Sequence, residues 1–128
     1  MRKLLYLAFL SLVMVSCKPS TTLYNPLNVE EFSEIIKEDG VQLLDVRTLE
    51  EFNEGHIPGA TLIDSSDSLF VEHVKSQLNK EQPIALYCRS GKRSKKASDK
   101  LVEQGFVIYD LTTGILGWEE EGLPIDIN

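Results

Sequence analysis

The sequence predicts an α/β fold, a mainly parallel sheet of about five strands with helices on both faces, and three observations lead there. Short apolar runs of strand length alternate along the chain with segments whose apolar residues recur at helical spacing. Strands that alternate with helices belong to parallel sheets covered on both sides. Two of the runs, Val41 to Val46 and Pro83 to Tyr87, are almost continuously apolar, as strands buried on both faces are. Asp45, Arg47 and Cys88 stand at the C-terminal ends of these runs, the rim where open parallel sheets place their ligands. At 128 residues, without internal repeats or low-complexity tracts, the chain has room for one domain.

Taken in order, Thr21 to Leu27 reads as a polar tether merging into a first short strand, whose regularity Pro26 limits. Asn28-Val29-Glu30-Glu31 is a helix start with Asn28 as N-cap and Glu31 three residues on. Val29, Phe32, Ile35 and Ile36 form its apolar face, and Gly40 suits its end. Val41 to Val46 is a strand, Glu50 to Glu54 a helical turn, Gly55 to Gly59 a loop, and Ala60 to Ile63 a further short strand. Ser66 to Asn79 is helical, with Phe70, Val74 and Leu78 on one face and His73 off it, exposed. Pro83 to Tyr87 is a strand, Ser94 to Gln104 a helix ending at Gly105, and Phe106 to Leu111 a strand of β-formers. Thr113 to Glu121 is a last helical turn or two, with Trp118 expected at the core edge.

The first residues stand apart from this pattern. Arg2-Lys3 is followed by an almost unbroken apolar run from Leu4 to Val15, too short to span a bilayer and shaped like a signal-peptide core. Met14-Val15-Ser16-Cys17 resembles a bacterial lipoprotein cleavage box, with Met14 where leucine is usual. That resemblance implies a signal peptide over 1–16, lipidation of Cys17, a lipid-anchored tether over 17–27 and a domain over 28–128. The protein is then an exported bacterial one, held to a membrane and facing the periplasm or cell envelope. An uncleaved anchor and ordinary signal cleavage are the alternatives. If Cys17 is not acylated, a Cys17–Cys88 disulfide is open to the chain; if it is, Cys88 has no partner. The formal net charge of −7 argues against general affinity for nucleic acid.

Against that acidic background the segment from Cys88 to Ser94 is cationic. It follows an apolar strand, turns at Gly91 and enters a helix, which sets one cysteine at the turning point. Backbone N–H groups from Arg89 to Arg93 can curl around the sulfur as an anion nest, and Arg89, Lys92 and Arg93 add positive charge. Both effects favour the nucleophilic thiolate. A buried, inert cysteine is the alternative, but the five residues after Cys88 are polar or glycine, which favours an exposed, reactive thiol.

Leu44-Asp45-Val46-Arg47, Glu51-Phe52, Gly55-His56-Ile57-Pro58-Gly59-Ala60, Tyr87-Cys88-Arg89-Ser90-Gly91-Lys92-Arg93-Ser94 and Gly114-Ile115-Leu116-Gly117-Trp118 occur in the order and spacing of the rhodanese family. From about Asn28 to Ile125 the chain resembles one rhodanese domain; Thr113 stands where many members have glycine. The resemblance implies sulfur transfer. Cys88 would attack the outer sulfur of a small anionic donor such as thiosulfate, release sulfite and become a persulfide. Cyanide, or in the cell a small thiol or a thioredoxin-like protein, would then take the sulfur. Arg89, Ser90, Gly91, Lys92 and Arg93 would hold the donor; Asp45, Arg47 and Glu51 would position the loop, with Arg47 and Glu51 as an ion pair. His56 is expected to be a hydrogen-bonded turn histidine. No cofactor is implied, and no cluster has metal-ligand spacing.

Two other functions are weighed. One is a module that carries a persulfide without turnover or docks a protein. The other is a Cys/Arg phosphatase or arsenate reductase, whose anion loop is one residue longer than the six from Cys88 to Arg93. A nucleotide-binding loop around Gly91-Lys92 is rejected, because Leu86 and Arg93 occupy the positions that need glycine and Ser or Thr.

Overall fold

The computed structural model describes residues 22–128, so the signal peptide assigned to 1–16 and the lipidation assigned to Cys17 lie outside the described residues. In chain order the elements are β1 (Tyr24–Leu27), α1 (Val29–Ile35), β2 (Gln42–Asp45), α2 (Leu49–Glu54), β3 (Thr61–Leu62), α3 (Phe70–Gln77), β4 (Ile84–Tyr87), α4 (Lys92–Glu103), β5 (Ile108–Leu111) and α5 (Gly114–Glu120). The strands form one sheet in the order β1-β5-β4-β2-β3, and every neighbouring pair is parallel. The expected fold class is therefore the observed one.

β4 lies at the centre and is buried at all four positions. Its side chains alternate between two cores, as the period of two requires. Ile84 and Leu86 join Leu44, Phe70, Val74, Ala97, Leu101, Phe106 and Ile108 beneath α3 and α4. Ala85 and Tyr87 join Phe32, Leu111, Ile115 and Trp118 beneath α1 and α5. Trp118 packs edge-to-face on Phe32 and donates its Nε1–H to the Pro124 carbonyl at 2.9 Å, satisfying its one polar atom.

Local chemistry explains most element ends. Asn28 and Glu31 form the expected capping box on α1, and Thr48 and Glu51 form another on α2. β1 pairs with β5 along its whole length, so the first short strand expected at the end of Thr21 to Leu27 is present, and Tyr24–Leu27, counted within the 17–27 tether, belong to the sheet. Pro26 is tolerated because β1 is an edge strand. α3 begins at Phe70 rather than Ser66. Asp64 and Asp67 accept N–H bonds from Ser66 and Leu69, both at 2.8 Å, and these turns delay the helix. α4 starts at Lys92, earlier than expected, directly after Gly91. β5 starts later, at Ile108, because the Phe106 N–H still bonds back to the Leu101 carbonyl.

Candidate active site

Cys88 is the first residue beyond β4. It is 1% exposed, forms no disulfide among the described residues, and packs into the core cluster with Leu86 and Ala97. The exposed thiol expected from the polar flank is thus corrected. The flank folds back over the sulfur, and the Gly91 N–H points at Sγ from 3.1 Å. Of the amides expected to line a nest, Gly91's is the one at hydrogen-bonding distance. Arg89 and Ser90 are exposed on the outer turn, and Lys92 is exposed at the first position of α4.

Two glycines permit this loop. Gly91 has φ +99°, and a Cβ there would collide with the Thr112 carbonyl. Gly114 has φ +63°, and a Cβ there would collide with the Arg89 carbonyl. Because Gly114 lets the backbones touch, the first N–H groups of α5, which lack helical partners, cap the loop. Ile115 donates to the Cys88 carbonyl at 2.9 Å and Leu116 to the Arg89 carbonyl at 3.1 Å. The sequence reading missed this buttress role of α5; Gly114, at a helix start just past the turn that ends β5, was the signal for it.

The charged residues pair differently from expectation. Arg47 does not meet Glu51. It is buried against Asp45, with Nε 3.0 and 3.1 Å from the two carboxylate oxygens and Nη2 2.7 Å from Oδ2. Nη2 also donates to the Gly55 carbonyl at 2.7 Å, tying β2 to the end of α2. Tyr87 closes this cluster, accepting the Ile57 N–H at 3.0 Å, with the Arg47 guanidinium 5.6 Å from its ring centroid. Burial first and the Asp45 charge second push the Tyr87 hydroxyl far up, so it stays protonated.

Glu51 instead receives a two-pronged fork from Arg93, Nη1 to Oε1 at 2.7 Å and Nη2 to Oε2 at 2.8 Å. The Arg93 hydrogen bonds are the main reason its carboxyl is pulled down to about 2. The α2 capping box aims Glu51 toward α4 while Arg47 turns inward to Asp45, and that separates the pair expected from sequence. Arg93, expected to hold the donor, therefore has its fork occupied and braces the loop. Arg89 and Lys92 remain without a side-chain hydrogen bond or ion pair among the described residues. His56 stacks on Phe52, its Nδ1 2.9 Å from the Phe52 carbonyl, as a turn histidine does.

Behind the loop lies a second buried acid that sequence reasoning passed over. Asp110 on β5 accepts the Tyr24 hydroxyl on Oδ2 at 2.7 Å, while its Oδ1 has no partner. Burial raises its pKa. An acid inside a β-forming run was the sequence signal for such a site.

A cysteine loop at the C-terminal end of the central strand of a parallel sheet defines a thiol-centred α/β protein. The family described as Rhodanese-like domain matches residues 28–121, and the chain belongs to that family. It is 37% identical over 95 residues to thiosulfate sulfurtransferase 16, chloroplastic, of Arabidopsis thaliana, covering 66% of this chain and 79% of that one. It is 35% identical over 116 residues to a tRNA uridine(34) hydroxylase of Acinetobacter baumannii. That match covers 86% of this chain but 36% of the hydroxylase, so the chain spans about a third of that relative. Among solved structures, a rhodanese-related protein from Thermoplasma volcanium superposes with a TM-score of 0.73 at 32% identity, over 82% of this chain and 100% of that one.

Proposed function

We propose that this chain moves a sulfane sulfur from thiosulfate or a similar small anion to a thiol or cyanide, through a persulfide on Cys88. The observation that carries the reading is the placement of Cys88 Sγ, 3.1 Å from the Gly91 N–H, under a loop whose unpaired cations are Arg89 and Lys92. The Cys88 thiolate attacks the donor's outer sulfur; a new S–S bond forms, the old one breaks, and its electron pair leaves on sulfite. Thiolate and persulfide are both anions, so the same amide and cations favour each resting form. Arg89 is suited to fork onto two oxygens of the donor. The relative named thiosulfate sulfurtransferase supports that donor class. Burial of Sγ also favours a terminal sulfur as the electrophile, since only one atom has to reach it. A phosphorus centre would bring three more oxygens into the loop.

Incubated with thiosulfate and cyanide, the purified protein should form thiocyanate, and Cys88→Ser should not. Thiocyanate formation that survives the substitution would contradict the mechanism. The 1% exposure of Cys88 favours one second reading, a persulfide carrier that holds sulfur for one partner and turns over free donors slowly. A carrier would be purified with an extra sulfur on Cys88 and show poor thiocyanate turnover.

Export and membrane anchoring through Cys17 are part of the same proposal, supported by the apolar run Leu4 to Val15 and the Met14-Val15-Ser16-Cys17 box. No helix among the described residues is long and apolar enough to cross a membrane.

A further inference from the structure

A groove of about 320 Å3 runs beside the Cys88 loop, between α2 and α5. Its position is set by backbone contacts already described: the Ile115 and Leu116 N–H groups bond to the Cys88 and Arg89 carbonyls, so the wall of the groove is continuous with the loop. Two of its charged residues are committed elsewhere, Arg47 to Asp45 and Glu51 to Arg93. The other three, Arg89, Glu54 and Glu119, are exposed and make no side-chain hydrogen bond or ion pair among the described residues. One guanidinium and two carboxylates therefore line a single concavity uncompensated. Leu116, 41% exposed, and Ile115 supply the apolar part of its lining.

We infer that this groove is the acceptor subsite and that it selects a thiol bearing both an ammonium and a carboxylate, an amino-acid thiol. The inference rests on the sulfur-transfer reading above and names the acceptor for that reaction. A dianionic donor is disfavoured by two carboxylates, whereas an ammonium satisfies them, and the acceptor's own carboxylate matches Arg89. The volume sits at the small end of ligand pockets, about 300–1,000 Å3, which suits an acceptor of amino-acid size. Donor and acceptor do not compete for Arg89, because sulfite has left before the acceptor binds in a two-step transfer through a covalent intermediate. In the second step the acceptor thiolate attacks the outer sulfur of the Cys88 persulfide. The bond from that sulfur to Sγ breaks, its electron pair returns to Sγ, and the acceptor departs as its own persulfide with no net oxidation.

The test loads the purified protein with thiosulfate, removes the donor, and follows decay of the Cys88 persulfide with three acceptors. These are cysteine, N-acetylcysteine (no ammonium) and cysteine methyl ester (no carboxylate). Their thiols differ in intrinsic reactivity, so each acceptor is compared between wild type and variant. A Glu54→Gln/Glu119→Gln double variant should lower the rate constants for cysteine and its methyl ester about threefold to tenfold, and raise that for N-acetylcysteine. Arg89→Gln, assayed from the loaded state, should slow cysteine and N-acetylcysteine more than the methyl ester. Equal changes for all three acceptors, or none in the double variant, would overturn the inference. If wild type forms no persulfide in the loading step, the sulfur-transfer reading fails first.

Discussion

Arg93 and Glu51 show how a single pair of side chains sets the loop. Two short, parallel hydrogen bonds join the first turn of α4 to the first turn of α2 and hold the Arg93 guanidinium on Glu51. The pair leaves a signature in pH. Glu51 has its carboxyl lowered from 4.5 to about 2, chiefly by Arg93. A carboxylate depressed by folding contributes stability above its unfolded value and loses it as acid protonates the folded form. The urea midpoint of the wild type should therefore fall between pH 4.5 and 2, and less steeply in Glu51→Gln; parallel profiles would count against the pairing. Asp110 acts in the opposite sense, since burial raises its pKa and acid relieves a buried charge, so the Glu51→Gln difference is the informative quantity. Asp45→Asn removes the partner of a buried guanidinium and should cost about 3–5 kcal/mol in urea unfolding, as breaking buried pairs does. A loss under about 1 kcal/mol, the range of surface pairs, would mean that Arg47 finds compensation elsewhere.

At the scale of elements, the site is a three-part joint: β4 presents the sulfur, α4 begins where its loop ends, and α5 caps the loop's carbonyls. Gly114 is the contact point between loop and α5, so Gly114→Ala should displace Cys88 while leaving β4 in place. Persulfide formation should slow at least tenfold, with a stability loss of about 1–3 kcal/mol from the left-handed backbone and the carbonyl collision. Wild-type rates in that variant would show that the buttress has no part in the chemistry. Much of this joint was legible in the sequence. The alternation of strands and helices, the Asn28 capping box and the cysteine at a strand end all depend on neighbours in the chain. The parts that were misjudged depend on distance. Glu51 looked like the partner of Arg47, four positions away, but its partner is Arg93, 42 positions on. The polar residues after Cys88 implied exposure because nothing local shows that they fold back over the sulfur. The start of α3 was set too early because the side chains of Asp64 and Asp67 compete with the helix for backbone N–H groups.

For the molecule as a whole, a chain of net charge −7 sets Arg89 and Lys92, exposed and without an ion pair among the described residues, in the loop that follows Cys88, and under the proposed function this is where a small anion would bind. If Cys17 tethers the domain to a membrane, labelled palmitate fed to expressing bacteria should enter the wild type and not Cys17→Ser; label retained by the variant would contradict the anchor. Everything downstream depends on whether the sulfur at position 88 accepts another sulfur. Mixing the purified protein with a limiting amount of thiosulfate, then quantifying sulfite and sequencing the Cys88 peptide by mass spectrometry, tests that directly. One sulfur added at Cys88 for each sulfite released is the expected result. Sulfite release without a modified Cys88, or an unmodified peptide and no sulfite, would contradict it.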